Sequence, residues 1–149
     1  MSDPSETVGS PAAAALPARL AERALAGLRA ASPKHAALLE DGDLCARVAQ
    51  VAVASDFAID TLRRQPALLE HLSTADPAPL PLPVLDPADP DAWPGLLRRY
   101  RSAGSTRLVW RDLLGLDTVE QTLAGSTALA AQCLGIALAA VEGEFAQRH

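Results

Sequence analysis

Apolar residues recur along this chain at helical rather than strand spacing. Leu16, Leu20, Ala24, Leu25 and Leu28 mark one face of a first helix starting at Pro17, a favoured first-turn position. Ser32-Pro33 ends that helix and opens a short second one, which stops at Asp41-Gly42. A third helix is expected over about residues 43–65, with Leu44, Val48, Val51, Ala52, Ser55, Ile59 and Leu62 as its buried stripe. On it, Asp60 and Arg64 form an i,i+4 pair with the acid placed first, the better orientation. Gln65-Pro66 interrupts the helix, and Leu68, Leu69 and Leu72 continue a short one.

Residues 73–91 hold Pro77, Pro79, Pro81, Pro83, Pro87 and Pro90, which neither helix nor strand tolerates in series. They predict an extended, mobile surface loop packed lightly by Leu80, Leu82 and Leu85. A fourth long helix runs from about Ala92 to Leu114, and Gly115 ends it. Asp117 is then expected to cap the last helix, with Glu120 completing a capping-box-like pattern. That helix reaches about Gln147, with Val119, Leu123, Ser126, Ala130, Leu134, Ala137, Val141 and Phe145 as its core stripe. The expectation is an all-α bundle of about five helices with a Pro-rich loop at about 73–91 and a long C-terminal helix. Residues 1–15 read as a disordered tail, and 16–149 as a single helical domain.

Composition agrees. Ala and Leu, strong helix formers, supply more than a third of the residues, while aromatic residues are only 3%. A net charge of −5 disfavours a generic nucleic-acid or anionic-membrane binder. Cys45 and Cys133 lie too far apart in sequence to suggest a metal knuckle, and no secretory signal pattern opens the chain. The longest apolar stretch, Ala128 to Val141, is interrupted by Gln132 and falls short of the roughly 20 residues of a membrane span. A cytoplasmic protein with no membrane and no nucleic-acid partner is expected.

Chemistry is scarce. His35, His71 and His149 are scattered, and no hydrolase triad order, zinc-protease motif or phosphate-binding loop is present. Asp41-Gly42-Asp43 and Asp89-Pro90-Asp91 could hold Mg²⁺ in another setting, but both lie at helix starts, where acids cap exposed amides. No catalytic, cofactor-binding or metal-ligating residue is assigned. Arg107 falls about 20° from Tyr100 and Leu114 on the helical wheel, and Arg111 about 40° from Arg107. Charges beside an apolar stripe need partners. Asp56, at the edge of the other helix's apolar face, is therefore expected to meet Arg107 or Arg111 as a structural ion pair.

Two segments carry more information. One is Ser55-Asp56-Phe57 followed by Pro66, Leu68 and Leu69. The other is Leu97-Arg98-Arg99-Tyr100-Arg101, then Arg107-Leu108-Val109-Trp110-Arg111-Asp112-Leu113-Leu114-Gly115-Leu116 and Val119-Glu120. Together they resemble the N-terminal helical region of the bacterial bifunctional glutamine synthetase adenylyltransferase/adenylyl-removing enzyme family, over about residues 44–145. Members of that family are much longer and carry two nucleotidyltransferase domains. Their catalytic motif, a Gly-Lys-Leu-Gly-Gly turn followed by Ser-Asp-x-Asp, is not found here. The resemblance implies a fragment that supports a nucleotidyltransferase domain missing from this chain and is inactive alone. For the full-length enzyme it implies ATP and Mg²⁺ as cofactors, and glutamine synthetase and a PII signalling protein as partners. The alternative is a stand-alone helical protein-interaction module.

Overall fold

A computed structural model of the chain describes residues 11–74 and 77–149. It is all-α, with no strand among the described residues. Among the described residues seven helices follow one another: α1 (Pro11–Ala31), α2 (Pro33–Leu38), α3 (Gly42–Ala54), α4 (Asp56–Arg64), α5 (Pro66–Ser73), α6 (Trp93–Leu113) and α7 (Val119–Arg148). A single 3₁₀ turn, Pro90–Ala92, leads into α6.

The core is built where the apolar spacing placed it. Leu28 of α1, Leu44, Val48 and Val51 of α3, Leu62 of α4, and Leu69 of α5 are buried together with Trp110 of α6. α3 and α4 form the central pair, with α1 packed on both and α6 contacting both. His35 of α2 is fully buried and directs Nδ1 at the Leu28 carbonyl, 3.2 Å away, which ties α2 to α1.

Local chemistry sets the boundaries. Ser32 accepts a hydrogen bond from the Lys34 amide, and Asp41 accepts from the amides of Asp43 and Leu44. The expected single helix over 43–65 is in fact two. Ser55 adopts an extended conformation (φ −149°, ψ 99°) that ends α3, and its hydroxyl accepts from the Ala58 amide to start α4. A serine side chain that binds the backbone locally competes with helix continuation, and a smooth apolar period does not reveal it. The first helix begins at Pro11, not Pro17. The Ala12–Ala15 run continues it upstream, with Pro17 inside the helix. Residues 11–15 are thus not a tail; residues 1–10 of the expected tail lie outside the described residues.

The Pro-rich segment has no regular secondary structure over residues 77–86, as its composition requires. It is nonetheless fastened. Leu80 packs on the core, and the Trp93 indole N–H donates to the Asp86 carbonyl at 2.7 Å.

Candidate functional site: the α6–α7 hairpin and its uncovered face

α6 ends in a turn held by main-chain geometry. Gly115 has φ +67°, a left-handed value that favours glycine. Its amide donates to the Asp112 carbonyl at 3.0 Å, and the Leu116 amide donates to Arg111 at 2.8 Å, the paired bonds of a Schellman motif. This closes α6 and reverses the chain into α7. The start of α7 is capped one residue later than its sequence suggested. Thr118 accepts from the Gln121 amide, and the Gln121 side chain accepts from the Thr118 amide. Asp117 is engaged elsewhere.

Its partner is Arg111. The guanidinium makes two hydrogen bonds of 2.8 Å to the two Asp117 carboxylate oxygens, and both side chains are largely shielded from solvent. These bonds hold Asp117 below the ordinary carboxylate range, against the raising effect of burial, and the charges of Arg111 and Arg107 add in the same direction. The expected pairing of Asp56 with Arg107 or Arg111 is therefore corrected: among the described residues no ion pair joins them. Asp117 is six residues from Arg111 and is carried back to it by the turn. Asp56 sits in the first turn of α4 and lines a cleft of about 490 Å³ between α1 and α4 with Arg23, Phe57 and Arg63. The Asp60–Arg64 pair forms as expected, and Arg63 joins it.

The hairpin is antiparallel and tightly fitted. Tyr100 donates to Gln132 Oε1 at 3.1 Å, and Thr122 donates to Asp112 Oδ1 at 3.3 Å. Burial, with a smaller effect of Cys133, raises the Tyr100 pKa above its ordinary value. Between those contacts lie two reciprocal notches. A β-carbon on Gly104 of α6 would come within 2.6 Å of Leu129 Cδ1, and one on Gly125 of α7 within 2.6 Å of Leu108 Cδ2. Each helix thus sinks one leucine against the other's glycine, which brings the backbones close.

A second face of α7, roughly a third of a turn from the one that meets α6, is bare. The sequence stripe Val119, Leu123, Leu134, Val141 and Phe145 was expected to be core, but these residues are 53–73% exposed and no residue of α7 is buried. Of the full stripe only Ala137 is half-buried; the other half-buried positions of α7 are Thr122, Gly125, Leu129, Cys133, Ile136, Ala140, Gly143 and Glu144. α7 is apolar on more than one side, and periodicity alone cannot tell which side meets its own bundle. It is also long and apolar enough to cross a membrane, by length and composition only, which the shorter stretch read from the sequence did not indicate.

No group of three or more His, Cys, Asp or Glu side chains that could hold a metal is found among the described residues.

Comparison with known proteins gives one consistent result. The chain is 60% identical over 140 residues to a bifunctional glutamine synthetase adenylyltransferase/adenylyl-removing enzyme of Xanthomonas oryzae pv. oryzae, covering 94% of this chain and 14% of that protein. The enzyme of the same name in Xanthomonas campestris pv. campestris is 57% identical over 139 residues, 93% of this chain and 15% of its own length. That of Stenotrophomonas maltophilia is 61% identical over 107 residues, 72% of this chain and 12% of its own length. No family model and no solved structure matches. The chain spans only about 14% of the first of these relatives. Over nearly its whole length, it is homologous to one segment of the bifunctional glutamine synthetase adenylyltransferase/adenylyl-removing enzyme family.

Proposed function

We propose that this segment is the N-terminal helical part of a cytoplasmic enzyme that controls glutamine synthetase by adding AMP from ATP to a tyrosine and removing it by phosphorolysis. The observation that carries the reading is the 60% identity across 94% of the chain to an enzyme bearing that name. The segment's own contribution is structural: it presents a packed bundle and one long apolar helix beside the domains that perform the chemistry. Mg²⁺ and ATP act at those domains, and a PII signalling protein and glutamine govern them. A stand-alone interaction module is not favoured, because the sequence matches a continuous stretch of a much longer enzyme.

The test is an assay with purified glutamine synthetase, ATP, phosphate and Mg²⁺. The full-length polypeptide carrying this segment should transfer radiolabelled AMP to glutamine synthetase and release it again. The 149-residue chain alone should do neither. Turnover by the short chain, or none by the long one, rejects the reading.

A further inference from the structure

We infer that the bare face of α7 is an intramolecular docking seam, seated in the longer enzyme against the polypeptide outside this segment. The inference rests on the family reading above and adds to it the surface and the chemistry of the contact.

Three observations identify the occupant. First, α7 contributes no buried residue, although Leu123, Leu134, Leu138 and Phe145 each stand at least 60% exposed along it. Val119, Leu123, Leu134 and Val141 fall within about 60° on the helical wheel, and Leu138 and Phe145 widen the stripe to about 100°. It runs from residue 119 to 145, about 39 Å at 1.5 Å per residue. Apart from Thr127 within it and Glu120 at its edge the strip is apolar, and an exposed apolar strip rimmed by polar residues marks an interaction surface.

Second, the covering material is at hand. The matched stretch is 14% of the relative's length, so most of that polypeptide lies outside it and is tethered to it. A tethered partner competes at high effective concentration against a second copy or a free protein.

Third, the neighbouring helix argues against a bilayer. The register set by Tyr100–Gln132 and Gly104–Leu129 brings Arg98, Arg99 and Arg101 of α6 level with the middle of α7. All three are exposed. Inserting α7 would carry them to membrane depth, where charged side chains are expensive. The seam's rim carries Glu120 and Glu142, both exposed, so the docking surface is apolar at its centre with basic groups opposite these acids.

Side-chain footprinting with hydroxyl radicals tests this without any substitution. Leu134 and Phe145 should react severalfold more slowly in the full-length polypeptide than in the 149-residue chain, with Val84 (84% exposed) as the reference outside the seam. A second measurement uses the doubly substituted Leu134→Asp, Leu138→Asp variant. It should barely move the melting temperature of the short chain, where both sites face water, yet lower that of the long polypeptide and open it to protease near α7. Equal footprints in the two chains overturn the docking. So does a seam that stays open in the long polypeptide while the short chain forms dimers that the double variant dissolves, or one protected only when phosphatidylglycerol vesicles are present. A protected seam in a polypeptide that transfers no AMP rejects the enzyme reading and leaves the docking standing. An open seam in an active enzyme does the reverse.

Discussion

At the scale of single residues, the chemistry that can be read is electrostatic and local. Asp117 is held ionised by Arg111, so its folded pKa lies below the unfolded value of about 3.9. A carboxylate of that kind stabilises the fold above its unfolded pKa and loses the contribution as pH falls through the folded value. Melting temperature measured between pH 7 and pH 2 should therefore fall more steeply below about pH 4 in the native chain than in Asp117→Asn. At neutral pH that variant should be less stable by about 1.5–3 kcal/mol, the usual worth of hydrogen bonds to a charged group. A variant as stable as the parent at both ends of that range would refute the assignment. The sequence made the Asp60–Arg64 pair legible because i,i+4 geometry is fixed by the helix itself. It did not reveal Arg111–Asp117, which crosses a turn, and it paired Asp56 across a helix contact whose register no local pattern specifies. His35 was unmarked for the same reason: its burial comes from the packing of α2 on α1, not from its neighbours in sequence.

Among the elements, α6 keeps the bounds its sequence suggests, α3 keeps its buried stripe but stops at Ser55, and α7 turns a different side to the bundle. The Leu44–Val48–Val51–Ala52 stripe of α3 is buried as its period indicates. The break at Ser55 was hidden because the apolar period continues across it to Ala58 and Leu62, both fully buried. α7 carries apolar residues on several sides, so the stripe chosen from sequence lies roughly a third of a turn from the side that meets α6. The glycine notches, not the leucine stripe, identify that side. Their energetic role can be measured. Gly104→Ala places a methyl group 2.6 Å from Leu129 Cδ1, against a gain of up to about 1 kcal/mol in helix propensity. The overpacking, typically about 1–3 kcal/mol, should dominate, and chemical denaturation should show a net loss. Adding Leu129→Ala should recover part of that loss, giving a double-mutant coupling of at least about 0.5 kcal/mol. Strict additivity of the two changes would show that the notch carries no coupling.

For the whole molecule, protection should be uneven. The core of α1, α3, α4 and α5 encloses Leu28, Val48, Leu62 and Leu69, all with no exposed surface, whereas α7 leans chiefly on α6. From the hairpin register, α7 passes the start of α6 near residue 140 and runs on for about 12 Å without it. Amide hydrogen exchange in the 149-residue chain should thus be slowest in α3 and α4, intermediate in α7 up to about residue 140, and fast beyond. Uniform protection along α7 would contradict this layout. The reciprocal seating of Leu108 on Gly125 and Leu129 on Gly104 has one further effect. With two knobs lodged one turn apart, α7 can neither spin about its axis nor slide along its neighbour without lifting both. The bundle therefore holds its greasy flank on a fixed heading, so whatever seats there inherits its orientation from two residues that lack a side chain.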